Sequence, residues 1–172
     1  MGREIRRVPA NWEHPRTDRY GDNRYQPMHA RDYDKEAREW IADCLAWSKG
    51  EHKSQQDPEI AAHKYEFFWE WDNGPPDPEY YVPYKPDKLG EAAWWQLYET
   101  VSEGTPVSPP FATKQELIDH LATVGDFWSK KPWPRAAAEQ MVNDAWAPTM
   151  AIVDGKIYKP ETGMPLSGKS HG

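Results

Sequence analysis

Apolar residues recur along positions 31–49 with the period of an amphipathic helix. They advance in alternating steps of four and three positions, in the order Tyr33, Ala37, Trp40, Cys44 and Trp47. This spacing puts all five side chains on one face of a helix. We therefore predict a helix from Arg31 to Lys49, which Gly50 ends.

A second helix start lies at residues 57–59. Asp57 suits the N-cap, Pro58 suits the first turn, and the Glu59 carboxylate favours the positive end of the helix dipole. Four apolar residues then share one face of the predicted helix: Ala61, Tyr65, Phe68 and Trp69. We predict that this helix continues to the Gly/Pro-rich break at residues 72–76.

The C-terminal half alternates strand and helix patterns. Residues 95–101 are aromatic and β-branched and predict a strand, with a turn at residues 102–105. A capping box at residues 113–116 begins a helix, and a shorter helix is predicted over residues 134–146. The stretch TMAIVDGKIYKP predicts a hairpin that turns at residues 154–155.

Together these elements predict an α+β fold with about four helices packed on a small antiparallel sheet. Residues 1–30 are rich in Arg, Pro and Tyr and lack an apolar period, so we expect an extended N-terminal arm there. We expect a single α+β domain over residues 31–160 and a flexible tail over residues 161–172.

Charge is distributed unevenly along this chain of 172 residues, whose formal net charge is -7. Residues 1–25 carry six Arg and four acidic residues, whereas residues 57–103 carry eleven acidic residues and three Lys. The mean hydropathy of -0.98 is very polar, but aromatic residues make up 13% of the chain, enough to build a core from rings. An acidic surface favours basic partners, so we expect no direct binding to nucleic acid.

The known patterns of catalytic and metal-binding residues do not occur in the sequence. Cys44 is the single cysteine, which excludes an internal disulfide and argues against a cysteine-based metal cluster. We expect a buried, inert thiol there, because it lies on the apolar stripe between Trp40 and Trp47. The six histidines are not spaced as metal ligands. We therefore predict no catalytic residue, no metal and no cofactor.

Residues 163–170, GMPLSGKS, spell the phosphate-binding pattern G-x-x-x-x-G-K-[ST]. That pattern binds phosphate when a helix follows it and directs its N-terminus at the ligand. Only two residues follow Ser170 in the sequence, and Pro165 removes one N–H donor. We interpret the segment as a Gly/Ser-rich tail rather than a nucleotide site.

The segment YEFFWEWDNGPPDPEYYVPY, residues 65–84, alternates rings with carboxylates and contains several prolines. A ring-built core with outward-facing acids explains this pattern. A partner-binding face also explains it, because Tyr and Trp anchor interfaces and carboxylates select basic partners. On the second interpretation the predicted contact residues are Glu66, Trp69, Glu70, Trp71, Asp72, Asp77, Glu79, Tyr80, Tyr81 and Tyr84.

Two segments carry a resemblance to known proteins: MGREIRRVPANWEHP, residues 1–15, and WQLYETVSEGTPVSPPFATKQEL, residues 95–117. In both, the chain resembles a group of small accessory proteins of tailed phages and prophages. The resemblance implies no activity and carries over no functional residue. It implies a context, which is a protein made in the cytoplasm of a bacterial host during phage growth or lysogeny.

Three hypotheses of function follow. The first is a phage-encoded acidic protein that binds and blocks a host protein; a defence nuclease suits it as a target because its nucleic-acid channel is basic, which would make the chain an anti-CRISPR-like inhibitor. The second is an enzyme of unrecognised type that acts on a nucleotide or nucleic acid. The third is a structural or assembly protein of the phage. The lack of a catalytic pattern favours a binding protein over an enzyme.

Overall fold

The computed structural model of the chain describes residues 2–19, 21–88, 90–100, 104–148, 150–153 and 156–163. The chain divides into two compact units. The sheet unit comprises Met1–Ala30 and Pro83–Gly172, and the ring unit comprises Arg31–Val82. The ring unit is thus contiguous in sequence, and the sheet unit is built from the segments on either side of it.

The described residues form five α-helices, a four-stranded sheet and two strand pairs. The helices are α1 (Tyr33–Ser48), α2 (Pro58–His63), α3 (Phe68–Trp71), α4 (Lys114–Thr123) and α5 (Arg135–Asp144). The strands are β1 (Gly2–Val8), β2 (Arg16–Thr17), β3 (Arg24–Tyr25), β4 (Trp94–Glu99), β5 (Thr105–Pro106), β6 (Trp146–Pro148), β7 (Ala151–Val153) and β8 (Lys156–Tyr158). The sheet is antiparallel in the order β5-β4-β1-β6. The chain therefore has the predicted α+β fold.

β1 lies inside the sheet, in the segment whose sequence predicted an extended arm. Its residue Arg3 is opposite Glu99 of β4 on one side and Ala147 of β6 on the other. Arg3 and Arg6 are both buried. Because buried arginines interrupt the alternation of apolar and polar residues, the usual signal of a strand is weak in GREIRRV.

A buried ion cluster explains how Arg3 can lie within the sheet. Three carboxylates contact its guanidinium group: Glu99 at 3.4 Å, Asp126 at 3.2 Å and Glu161 at 3.3 Å. The side chains of Arg3 and Asp126 are 7% and 0% exposed. Asp126 also accepts a hydrogen bond from the Trp133 indole N–H at 2.9 Å. One guanidinium serves three carboxylates, so loss of Arg3 would leave Asp126 and Glu99 buried without a cation.

The core of the sheet unit is mainly aliphatic and is formed by β4, α4 and α5. Its buried residues include Leu97, Leu117, Leu121, Met141 and Val142. The capping box predicted at the start of α4 is confirmed, because Thr113 Oγ1 accepts the Glu116 N–H and Glu116 Oε2 accepts the Thr113 N–H. At its other end Gly125 has a φ of +93°, and a Cβ there would overlap the Lys131 carbonyl group.

In the ring unit, α1 confirms the first predicted helix to within two residues at its start. Asp32 caps it, since its Oδ1 accepts the Lys35 N–H at 2.9 Å. On the predicted apolar stripe, Trp47 is buried and Trp40 and Cys44 are half-buried. The helical pattern thus identified both the element and the face that packs.

Four rings form the core of the ring unit, and we call them the ring core. They are Trp47, His52, Phe68 and Trp71. All six pairs of ring centroids are 5.3–5.8 Å apart. Aromatic contacts at these distances supply buried area from few residues, which suits a small unit.

The second predicted helix is present as two shorter ones, so the prediction of one continuous helix was wrong. Its start is confirmed: Asp57 Oδ1 accepts the Glu59 N–H at 2.9 Å. α2 then ends at His63, because Lys64 adopts the left-handed conformation with φ 52° and ψ 42°. A new helix, α3, begins at Phe68 and lasts a single turn.

Other predicted elements agree in position, and some predictions fall outside the described residues. β4 covers most of the predicted strand at residues 95–101, and β7 pairs antiparallel with β8 as the hairpin pattern predicted. The tips of both predicted turns, at residues 102–103 and 154–155, lie outside the described residues. The phosphate-binding pattern beyond Gly163 and most of the predicted tail also lie outside the described residues.

Candidate functional site

Surplus negative charge is confined to the ring unit. Its residues 31–82 include six Lys or Arg and thirteen Asp or Glu, which gives -7, the formal charge of the whole chain. The sheet unit has fifteen of each sign and a formal charge of zero. A basic protein would therefore be attracted electrostatically by the ring unit rather than by the sheet unit.

Two exposed rings of the ring unit stack on each other, and we call them the ring pair. Phe67 and Trp69 are 41% and 49% exposed. Their ring centroids are 4.5 Å apart and their planes differ by 4°. They flank the buried Phe68, so the same turn of chain directs one ring into the core and two rings outward. Trp69 was among the predicted contact residues, and Phe67 was missed.

Three of the predicted acidic residues lie around α3. Glu70 Oε2 accepts the backbone N–H groups of Glu66 at 2.8 Å and Phe67 at 3.2 Å, which fixes the start of this helix. Asp72 Oδ1 accepts the N–H of Asn73 at 2.7 Å. Glu66, Glu70 and Asp72 are all exposed. Their carboxylates surround the turn that carries the ring pair.

Two further predicted acids, Asp77 and Glu79, lie at the short 3-10 helix Pro78–Tyr80. Asp77 Oδ1 accepts the Glu79 N–H at 3.0 Å, which caps that helix. Both side chains belong to exposed residues, whereas Tyr80 is half-buried. These acids therefore have a local structural role and still add negative charge to the surface.

Three of the predicted anchors pack within their own units. Trp71 belongs to the ring core and stacks on Trp47. Tyr81 is buried, and its hydroxyl donates to Glu36 at 3.1 Å; burial, then this hydrogen bond, raises the pKa of Tyr81. Tyr84 lies in the sheet unit, edge-on to Trp12 with centroids 4.9 Å apart, and burial raises its pKa to about 12. The large aromatic side chains of the ring unit that the structure describes as exposed are thus Phe67 and Trp69.

A separate cleft, of about 590 Å³, lies in the sheet unit and was not predicted from the sequence. Its walls combine rings and prolines with polar and charged side chains. The lining residues are Trp12, Glu13, His14, Pro15, Arg16, Tyr25, Gln96, Ser108, Pro109, Pro110 and Phe127. They come from segments far apart in sequence, which no local pattern connects.

The floor of this cleft is a connected polar network. His14 Nε2 lies 2.7 Å from the Gln26 carbonyl oxygen, which can only accept, so Nε2 carries the proton. The Tyr98 hydroxyl donates to Gln96 Oε1 at 3.0 Å, and Gln96 Nε2 donates to the Ser108 carbonyl at 2.7 Å. A network whose members are satisfied holds the cleft walls in one arrangement.

His14 is uncharged at neutral pH in this network. Burial lowers its pKa to about 4, against the opposing effect of the hydrogen bond to Gln26. The Arg6 guanidinium, which lies over the Tyr98 ring at 4.5 Å, lowers the pKa further. His14 therefore organises the floor as a neutral donor and acceptor rather than as a cation.

The remaining candidate groups do not form a reactive centre in the described part of the chain. Burial, and then the neighbouring Asp43 carboxylate, raises the pKa of the Cys44 thiol, which disfavours the thiolate. Among the residues that the structure describes, no three His, Cys, Asp or Glu side chains are grouped so as to hold a metal ion. No helix in the same residues has the length and apolar character that a membrane span requires.

Comparisons of the chain with models of protein families, with curated proteins and with solved structures find no match.

Proposed function

We propose that the protein acts by binding a basic surface of another protein through the ring unit. The contact is centred on the ring pair, Phe67 and Trp69, and is surrounded by the exposed carboxylates of Glu66, Glu70 and Asp72. The resemblance of two sequence segments to accessory proteins of tailed phages suggests the biological setting. In that setting the partner is a host factor, such as a defence nuclease, which the protein blocks in the bacterial cytoplasm.

The observation that carries the proposal is the exposed ring pair within a unit of charge -7. Exposed Trp and Phe side chains that are already stacked lose little conformational freedom on binding. Carboxylates around them attract a basic partner and repel an acidic one. Aromatic anchors such as Trp are enriched among the residues that contribute most to interface affinity, and polar residues usually form the rim around them.

Charge also favours a protein partner over nucleic acid. Stacking of single-stranded bases uses exposed rings as well, but it requires a positive groove that follows the phosphates. The ring pair instead lies beside acidic residues in the acidic unit. The basic nucleic-acid channel of a host nuclease would complement this negative charge.

Capture of host proteins by tagged variants tests the proposal. We expect Trp69→Ala to weaken binding to the captured partner by about 2 kcal/mol or more, a change in Kd of roughly 30-fold. The partner is then purified and its Kd for each variant measured by calorimetry at low and high salt. Affinity should fall as salt rises, because attraction between exposed charges is screened.

Trp128→Ala is the matched control, since Trp128 is also exposed, at 67%, but belongs to the sheet unit. It should retain full affinity. Equal Kd values for wild type, Trp69→Ala and the double variant Phe67→Ala/Trp69→Ala would rule out this face.

A further inference from the structure

The cleft in the sheet unit has the size and rigidity of a small-molecule site. Its volume of about 590 Å³ lies within the usual range for such sites, about 300–1,000 Å³. The floor network that includes His14, Gln96 and Ser108 has its hydrogen bonds formed internally. A ligand would therefore meet a preformed surface and would be recognised by the walls rather than by the floor.

Two aromatic residues of the lining stack on each other. Tyr25 and Phe127 differ in plane by 10°, with centroids 6.4 Å apart, and Phe127 is 39% exposed. This spacing leaves no room for a third ring between them, so a flat ligand would stack on the exposed Phe127. Trp12 and the prolines at positions 15, 109 and 110 complete an apolar lining. These surfaces favour a planar aromatic ring system.

Arg16 supplies an oriented positive charge at the same cleft. Its guanidinium carbon lies 4.1 Å from the Tyr25 ring centroid, and its Nη1 donates to the Asn23 carbonyl at 2.9 Å. No carboxylate among the described residues forms an ion pair with it, in contrast to Arg3 of the same unit. The remaining N–H donors match the paired oxygens of a phosphate or carboxylate.

Glu13 adds an acceptor to the lining. Its carboxylate repels an anion placed next to it, but accepts hydrogen bonds from amino groups of a ring. A ligand that suits both residues carries its negative charge toward Arg16 and its N–H donors toward Glu13. Rings, amino donors and an anionic group occur together in nucleotides.

We propose that the cleft of the sheet unit binds a small planar anionic ligand of nucleotide type, with its ring against Phe127 and its anionic group on Arg16. This site is separate in residues from the ring pair and does not rest on the proposed function. The same chemistry could come from a free nucleotide or from the terminal nucleotide of a single strand.

Calorimetric titration of the purified full chain tests the proposal. The probes are the nucleoside 5′-monophosphates AMP, GMP, CMP and UMP, with adenosine, inorganic phosphate and a 5′-phosphorylated hexanucleotide as comparisons. We expect at least one monophosphate to bind, and adenosine and phosphate to bind at least tenfold more weakly than that monophosphate. The hexanucleotide distinguishes the two sources, since only a strand-end site binds it as tightly as the free nucleotide.

Substitutions of lining residues test whether the ligand binds in the cleft. Arg16→Gln and Phe127→Ala should each weaken binding at least tenfold. Arg24→Gln is the matched control: Arg24 is exposed on the adjacent strand β3, pairs with Asp22 and does not line the cleft. Absence of binding by all four monophosphates, or equal affinity in wild type, Arg16→Gln and Phe127→Ala, would overturn the proposal.

Discussion

The whole formal charge of the chain lies in the ring unit, whereas the positive and negative residues of the sheet unit balance. Their interiors differ as well. The ring unit packs four rings against one another, and the sheet unit packs aliphatic residues and a buried ion cluster. The sheet unit thus neutralises charges within its own interior, while the ring unit leaves its surplus at the surface. The proposed binding of a basic partner by the ring unit rests on this difference in charge.

Removal of Arg3 tests whether the sheet unit depends on its internal charges. Arg3→Met should lower the free energy of unfolding by about 4 kcal/mol, because Asp126 and Glu99 would be left buried without their cation. Urea unfolding followed by circular dichroism measures the change.

Arg135→Met is the control for that experiment, since Arg135 pairs with Asp119 and Glu139 at the exposed surface. An exposed pair contributes about 1 kcal/mol or less. If both arginine variants lose equal stability, the contrast between internal and surface charge fails.

Replacing an aromatic side chain by alanine tests which rings of the ring unit belong to its core and which lie at its surface. Trp47→Ala should cost about 3–4 kcal/mol, because Trp47 contacts all three other members of the ring core. Trp69→Ala should cost about 0.5 kcal/mol or less, since Trp69 is half-exposed. Unfolding of both variants in urea gives the comparison. A large loss in Trp69→Ala would place the ring pair in the folding core instead of the binding face.

We expect the pH dependence of stability to differ between the units, because His14 of the sheet unit causes it. The pKa of His14 is about 4 in the folded protein and about 6.5 when unfolded. The unfolded chain therefore binds more protons below pH 6.5, and stability falls as pH decreases from 6.5 to 4 by about 3 kcal/mol. Above pH 6.5 this contribution is fully present. Thermal unfolding at a series of pH values measures it.

His14→Gln should flatten that part of the profile, even if it lowers stability at pH 7. His63→Gln, at an exposed position of the ring unit, should keep the wild-type slope. A wild-type slope in His14→Gln would show that another group causes the pH dependence.

Local patterns were sufficient to predict several elements. The apolar stripe of α1 and the capping box of α4 depend on residues within a few positions of one another. The hairpin of β7 and β8 is similarly local. The break after α2 was missed because Lys64 adopts a left-handed conformation, which the sequence does not predict for a lysine.

Features that depend on distant residues were not predictable in the same way. β1 was missed because Arg3 and Arg6 are buried, and the carboxylates that compensate Arg3 come from the far end of the chain. The cleft was missed because its lining joins residues from both halves of the sheet unit. Within the aromatic segment, composition identified rings and acids but not which rings face outward. The orientation is set by packing around Phe68.

The position of β1 in the sheet affects how the chain can fold during synthesis. β1 precedes the ring unit in the chain, and its neighbours β4 and β6 follow only after the entire ring unit. The ring unit can therefore collapse on the ribosome while β1 is still unpaired. Unpaired strands tend to pair with strands of other chains, and positively charged side chains oppose this association. We expect the arginines of β1 to reduce such association until β6 has been made.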